Sequence, residues 1–125
     1  MLTAVESPLR IEVVACESLE GDAGRWRVTF RVVNVGASVV RLSDAWVPHG
    51  RFRGEGHVPV HVEIVSGDAQ ALELGVTARE APGTVVENAF LILRTSAGRV
   101  FARMRVEFGA AGQAKPSVEA VTAQP

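Results

Sequence analysis

The residues best suited to chemistry in this sequence lie in one segment, PHGRFRGEGHVPVH, which spans residues 48–61 and contains all three histidines. Imidazole and carboxylate groups hold zinc at about 2 Å. In an extended strand His57 and His61 lie about 13 Å apart, so they cannot share an ion. His61 and Glu63 are about 7 Å apart, and His49 is the remaining imidazole. A metal site of His49, His61 and Glu63 is therefore one hypothesis for function.

Other chemical motifs are not supported by the spacing of residues. The glycines of the same segment, Gly50, Gly54 and Gly56, match neither the dinucleotide-binding G-x-G-x-x-G pattern nor the phosphate-binding loop, and no helix pattern follows them. Ser43 and Asp44 could pair with a histidine, but the Gly-x-Ser-x-Gly turn of serine hydrolases is absent from the sequence. We therefore expect no phosphate site and no catalytic activity.

Composition and charge exclude several further classes. Of the 125 residues 47% are apolar and 22% charged, which is typical of a globular domain, and a formal net charge of −1 gives no field to attract nucleic acid or an anionic membrane. Cys16 is the only cysteine, with Glu17 and Glu20 nearby to raise its thiol pKa. No apolar run is long enough to span a membrane. We expect a cytoplasmic protein without a cofactor.

Alternation of apolar and polar residues predicts β-strands as the elements that position these side chains. In RWRVTFRVV the residues Trp26, Val28, Phe30 and Val32 fall on one face and arginines dominate the other. The same period of two recurs in LRIEVVA, HVPVHVEIV, ALELGVTA and VFARMRVEF. Pro59 lacks a backbone donor and places its strand at a sheet edge.

Two further segments, SVVRLSDAWV and ENAFLILR, complete a set of about seven strands, and the second is apolar enough for a central strand. Glycine, asparagine and proline turns separate the strands, which predicts an all-β, antiparallel β-sandwich over residues 1–108. The composition of residues 109–125 predicts a flexible C-terminal tail, with SVEAV as a short edge strand at most. Both tryptophans, Trp26 and Trp46, are assigned to the core, and the alternative for Trp46 is a position at a sheet end where it lines a pocket.

The run VTFRVVNVGASVVRL, followed later by APGTVVENAFLIL, resembles bacterial immunoglobulin-like sandwich domains of the fibronectin type III kind. In these domains a strand ends in Asn-x-Gly and a Pro-Gly turn precedes the central strand. The resemblance covers roughly residues 9–108 and implies an immunoglobulin-like fold and a binding or spacer role. This chain has neither a cysteine pair nor any tyrosine, so the disulfide and tyrosine corner of such domains are missing.

Immunoglobulin order assigns the predicted strands to two sheets whose outer faces differ. The first, second, fifth and fourth strands would share a sheet with alternating charges outside: Glu12, Arg25, Arg27, Arg31, Glu63 and Glu73. Cross-strand pairs of opposite charge make this a solvated face. The other sheet would present mainly apolar groups beside Arg41: Val39, Ala45, Val47, Leu91, Leu93 and Phe101. Such a face marks a contact surface, unless the tail covers it or the facing of ENAFLILR is off by one residue.

These observations favour a non-catalytic protein-binding or assembly module, which contacts a partner or a second copy of itself. The predicted contact residues are Leu91, Leu93, Phe101, Arg103 and Arg105. Arginine and aromatic residues are enriched in protein interfaces. The loop from Arg51 to Arg53 is a second candidate contact, and a protease inhibitor presenting this loop is a third hypothesis that rests on fold analogy.

Overall fold

β-Strands form all of the regular secondary structure in the part of the chain that the structure describes. The structure is a computed structural model and describes residues 5–19 and 24–124. The ten strands in these ranges are β1 (Val5–Glu6), β2 (Leu9–Ser18), β3 (Arg25–Asn34), β4 (Val40–Trp46), β5 (Arg53–Gly54), β6 (Val58–Ile64), β7 (Ala69–Thr77), β8 (Val85–Thr95), β9 (Gly98–Phe108) and β10 (Ala114–Gln124).

The strands assemble into two antiparallel sheets that face each other across one core. The six-stranded sheet has the order β1-β10-β9-β8-β4-β6, and the four-stranded sheet has the order β2-β3-β7-β5. Inward residues of both sheets, such as Val28 and Phe30 on β3 and Ala102 and Met104 on β9, are fully buried. The two antiparallel sheets confirm the prediction of an all-β antiparallel sandwich. Strands with one apolar face must bury that face against another layer, which explains why the sheets pack together.

The distribution of strands between the sheets corrects one expectation. The strand HVPVHVEIV, here β6, was placed with the first and second strands, but it pairs with β4 at the edge of the six-stranded sheet. Only the two-residue strand β5 lies between β4 and β6 in the sequence, and strands that are close in the sequence tend to pair. Pro59 does lie on an edge strand, as its missing donor predicts.

Residues 109–124 also differ from the prediction of a flexible tail; the last predicted tail residue, 125, lies outside the described residues. Ala114–Gln124 forms an eleven-residue strand that pairs with β9 along its length, and β1 pairs with its far end. Its inward residues include Ala114, Pro116 and Ala123, which are small or lack a backbone donor, so the apolar alternation is weak in the sequence. A register shift between Val118 and Ala120 interrupts it further. The segment extends the sheet and does not cover its outer face.

A β-bulge in β8 reverses the facing that the sequence predicted for this strand. Val86 pairs with Val106 and Ala89 pairs with Met104, so two residues of β8 oppose one of β9. Asn88 occupies this bulge with a positive φ of 57°. After an extra residue every following side chain points to the opposite face. Leu91 and Leu93, predicted to face outward, are therefore fully buried.

A second bulge has the same effect in β4. Leu42 and Asp44 pair with the consecutive residues Thr95 and Arg94 of β8, so Ser43 is the extra residue. Before this point the predicted facing holds, because Val39 and Arg41 are exposed. After it the facing reverses: the residues buried instead of exposed are Ala45 and Val47. Trp46 thereby turns to the outer face.

The excursion between β4 and β6 is fixed by Phe52, whose side chain is fully buried. Pro48 forms a bridge with Arg53, and the Gly54 amide donates to the carbonyl of Val47 at 3.0 Å. An aromatic side chain in the core is a large apolar anchor for a loop. The part of PHGRFRGEGHVPVH that precedes β6 thus contains a folded hairpin, closed by the bridge between Pro48 and Arg53, and this hairpin holds residues 48 and 49 against the sheet.

Two polar side chains tie the interior together. Asn34 is fully buried; its Nδ2 donates to the Ile64 carbonyl at 2.8 Å, which links the two sheets, and its Oδ1 accepts the Gly36 amide at 3.0 Å. The Asn-x-Gly run therefore forms an Asx turn that satisfies a buried polar group. The Trp26 indole, buried as predicted, donates to the Ala78 carbonyl at 2.8 Å.

Candidate functional site

The outer face of the six-stranded sheet carries a row of apolar side chains at its centre. In the strand register Trp46 of β4 pairs with Ile92 of β8, Ile92 pairs with Phe101 of β9, and Phe101 pairs with Thr122 of β10. The two bulges place the first two of these residues outside, and the uninterrupted alternation of β9 places Phe101 beside them. Each of the three apolar side chains is half-buried.

Beside this row lies an apolar pocket with a volume of about 320 Å³. Its floor contains Phe90 and Phe101, whose rings meet edge to face at 6.4 Å and 85°, a favourable geometry for aromatic pairs. The residues that line the pocket are Pro48, His49, Asn88, Phe90, Ile92, Phe101, Thr122 and Gln124. The hairpin anchored by Phe52 supplies one wall and β10 supplies the opposite wall.

The outward arginines of β9 have two different kinds of neighbour. Arg105 is neutralised, because it contacts Glu87 at 2.9 Å and Glu107 at 3.2 Å. Arg99 and Arg103 lie on the same outward side of β9 as Phe101, two residues before and two residues after it, and both are exposed. Among the described residues neither has a carboxylate within ion-pair distance. We call the surface formed by Phe90, Ile92, Arg99, Phe101 and Arg103 the Phe101 face.

Trp46, predicted to be core, instead forms a stack on the outer face next to the Phe101 face. Its ring lies 4.0 Å from the His57 ring, with 13° between the planes. The guanidinium groups of Arg94 and Arg99 each lie 5.8 Å from the indole centroid, within the range of cation–π attraction. The stack fixes the positions of side chains at the edge of the sheet, where β6 pairs with β4.

Asp44 holds this stack in place. Its Oδ2 lies 3.0 Å from His57 Nδ1 and its Oδ1 lies 3.4 Å from Arg94 Nε. The hydrogen bond with His57, followed by the charges of Arg94 and His57, keeps the pKa of the Asp44 carboxyl below its ordinary value. The Ser43 hydroxyl contacts Asp44 at 3.4 Å and the Arg94 carbonyl at 3.2 Å, not the imidazole. A serine nucleophile needs the histidine as its base, so this group is not a catalytic triad.

The residues proposed for a metal site are not brought together. His49 lines the pocket beside Phe101, and its Nδ1 accepts the Arg51 amide at 3.0 Å. His61 lies in a bulge of β6 with a positive φ of 51° and lines a different depression with Asp44. Glu63 pairs with Arg41 at 2.8 Å. Within residues 5–19 and 24–124, no three side chains of the His, Cys, Asp and Glu types form a group that could hold an ion.

Cys16 and the loop from Arg51 to Arg53 complete the set of predicted sites. Burial, with a smaller contribution from Glu17, raises the pKa of the Cys16 thiol to about 11, so the group stays protonated and unreactive near neutral pH. Arg51 pairs with Glu80, and the residue between the two arginines is the core anchor Phe52. This loop is therefore tied to the sandwich, and Pro48 and His49, which precede it, line the pocket.

No model of a known protein family matches this chain. A search of curated proteins finds no significant relative. Over the described ranges there is no helix with the length and apolarity needed to cross a membrane. What bears on the function of the chain is thus the geometry of the Phe101 face and its pocket.

Proposed function

We propose that this chain is a non-catalytic binding module of the immunoglobulin-like or fibronectin type III-like kind, which contacts a protein partner or a second copy of itself through the Phe101 face. Of the predicted contact residues, Phe101 and Arg103 remain in the proposed surface. Phe90 and Ile92 replace Leu91 and Leu93, which are in the core. Arg105 forms an ion pair with Glu87 and is assigned to the rim of the surface.

One observation carries the proposal: three large apolar side chains, Phe90, Ile92 and Phe101, converge on a pocket on the outer side of a sheet. The solvent-exposed face of a sheet rarely carries several large apolar side chains side by side, and such a cluster on a surface marks a contact site. Fixed aromatic side chains beside arginine have the composition of interface hot spots. The strand order supports the family resemblance, because β6 beside β4 corresponds to the added strand of variable-type immunoglobulin sheets.

The non-catalytic part of the proposal rests on two groups: Ser43 near this surface and Cys16 on β2 of the other sheet. The hydroxyl of Ser43 does not contact His57, and the Cys16 thiol is protonated. The use of a single cysteine fits a reducing compartment, so we retain the cytoplasm as the proposed location.

The proposal is tested by selection of peptides from a random displayed library on the immobilised protein. The same selection is made on Phe101→Asp, on Ile92→Asp and on Val14→Asp, a matched control that places a charge on an exposed valine of the other sheet. We expect the selection to yield peptides that bind the wild-type and control proteins. Their affinity for the two Phe101-face variants should be at least about tenfold lower, because a bound peptide would bury the carboxylate of the introduced Asp without a partner.

Sedimentation velocity on the same four proteins tests self-association. A dimer that forms in the wild type and the control but not in Phe101→Asp supports the proposed surface with a second copy as its occupant. The proposal is overturned if the wild type is a monomer and no selected peptide discriminates it from Phe101→Asp. Circular dichroism and thermal unfolding show whether each variant is folded.

A further inference from the structure

From the placement of two arginines on either side of Phe101 along β9, we infer that the Phe101 face recognises an extended segment of another protein in which one large apolar side chain is flanked by acidic residues, two positions before it and two positions after it. This inference rests on the proposed function and specifies the partner. It concerns three side chains of β9: Arg99, Phe101 and Arg103.

The spacing of these side chains defines the spacing in the ligand. Residues two apart on a strand share a face and lie about 7 Å apart along it. Arg99 and Arg103 therefore bracket Phe101 at about 7 Å on each side. An extended peptide that runs along β9 has the same period, so an apolar residue over Phe101 puts its neighbours at positions −2 and +2 beside Arg99 and Arg103. The Arg99 guanidinium, which lies 5.8 Å from the centroid of the Trp46 ring, would turn from that ring to reach a carboxylate.

The pocket fits one large side chain. Its volume of about 320 Å³ is near the lower end of the range for ligand sites, and its floor of Phe90, Ile92 and Phe101 is apolar. Asn88 and Gln124 at its ends offer amide groups that could bond the peptide backbone. One aromatic or branched aliphatic anchor thus fills the site, and the charged positions determine which peptides are accepted.

Charge complementarity identifies the flanking residues as acidic. Within the described ranges neither Arg99 nor Arg103 has a carboxylate partner, and the Arg99 guanidinium lies 5.8 Å from the centroid of the Trp46 ring. Carboxylates form charge-assisted, bidentate bonds with guanidinium groups. The same two arginines disfavour a second copy as the occupant, because a two-fold interface would place each face, with its unpaired arginines, against an identical one.

Fluorescence anisotropy with labelled nine-residue peptides tests the inference. The probe has the central sequence Asp-Ser-Phe-Ser-Asp with Gly-Ser ends, and the comparison peptides replace both Asp by Lys, or Phe by Ala. We expect the probe to bind at least about tenfold more tightly than either comparison peptide. Arg99→Ala and Arg103→Ala should each weaken probe binding about two- to tenfold, with a reduced dependence on salt, whereas Arg103→Lys should restore part of the affinity. Arg27→Ala, on the opposite sheet, is the control that leaves binding unchanged.

The peptides from the displayed library separate the inference from the proposed function. Selected peptides that require Phe101 and carry acidic residues two positions from an apolar anchor support both. Selected peptides that require Phe101 but lack acidic residues, or that bind equally well to Arg103→Ala, overturn the inference and leave the proposed function intact. If short RNA or DNA strands compete for the face more strongly than the acidic peptide, the assignment to an acidic segment is wrong.

Discussion

The two outer faces of this sandwich both carry arginines, but the neighbours of those arginines differ. On the four-stranded sheet each outward arginine of β3 has a carboxylate partner, in the pairs Arg25–Glu55, Arg27–Glu17 and Arg31–Glu12. On the Phe101 face Arg99 and Arg103 flank Phe101 along β9 and have no carboxylate partner among the described residues.

This difference shows that the number of charges on a face says little about its role. Exposed pairs such as Arg27–Glu17 satisfy each other and present a neutral, hydrated surface. Guanidinium groups without a carboxylate partner can bind polar groups of another protein, and the half-buried rings beside them can pack against its apolar side chains. Substitutions that affect only the outer face of the four-stranded sheet or only the six-stranded sheet can test this difference between the two faces.

The largest effect is expected from a charge placed on the core side of β8. Leu91 is fully buried and Ile92 is on the Phe101 face. Leu91→Asp should lower the free energy of unfolding by more than about 4 kcal/mol and leave little folded protein, because a charge would be buried without a partner. Ile92→Asp should fold. Urea denaturation of the two variants measures the difference, and equal stability would contradict the assigned facing of β8.

Removing the anchor of the pocket wall should have the next largest effect. Phe52→Ala should destabilise the protein by about 3–5 kcal/mol, since it leaves a cavity where an aromatic ring was fully buried. Arg53→Ala, the exposed neighbour, is the matched control and should change stability by less than about 0.5 kcal/mol. Chemical denaturation provides the measurement. A loss below about 1 kcal/mol for Phe52→Ala would show that the hairpin is not held by this side chain.

The bulge that creates the Phe101 face can be strained by one substitution. Asn88 has a φ of 57°, in the left-handed region where asparagine is tolerated and β-branched residues are not. Asn88→Val should destabilise the fold by about 1–2 kcal/mol, whereas Asn88→Gly should be neutral or slightly stabilising. Thermal unfolding compares the two variants. If valine is tolerated as well as glycine, the bulge does not depend on this backbone conformation.

The sequence is sufficient to predict seven of the ten described strands, but not β1, β5 or the full length of β10, nor the faces that two of the seven present. Alternation located β2, β3, β6, β7 and β9, and the outward position of Phe101 followed from the unbroken pattern of β9. A bulge adds one residue to a strand but leaves its apolar composition the same. In the apolar run AFLIL a shift by one residue turns isoleucine and phenylalanine outward in place of leucine, so both facings fit the sequence equally well. The polar pairs Ser43-Asp44 and Glu87-Asn88, each interrupting an apolar strand, are the only local signals of the bulges.

The pocket itself could not be predicted, because its walls come from distant parts of the chain. Phe52 lies between two arginines and two nearby glycines, in a segment that reads as a polar turn. β10 contains small residues and a register shift, so its alternation is faint. Both walls depend on tertiary packing, which overrides local propensity.

Acid should loosen the Trp46 stack and leave the Phe101 pocket in place. The folded state lowers the pKa of Asp44 below 3.8, its ordinary value, chiefly through the bond to His57. The stabilisation from this carboxylate is therefore present above about pH 4 and is lost as the pH falls through the lower folded pKa. Asp44→Asn should be less stable than wild type at pH 6, and the difference should shrink at pH 2. Unfolding curves across this range provide the test, and a constant difference would contradict the assignment.

The smallest effect is expected on the four-stranded face, and its size determines whether the two faces really differ. Arg27 and Glu17 lie 2.9 Å apart with side chains that are 48% and 61% exposed, so water screens the pair. A double-mutant cycle with Arg27→Ala and Glu17→Ala should give a coupling of about 0.2–1 kcal/mol that falls as salt is added. Neither variant should alter binding at the Phe101 face. A change in peptide affinity for Arg27→Ala would mean that the field of the whole protein, not the local pair of unpartnered arginines, attracts the acidic segment.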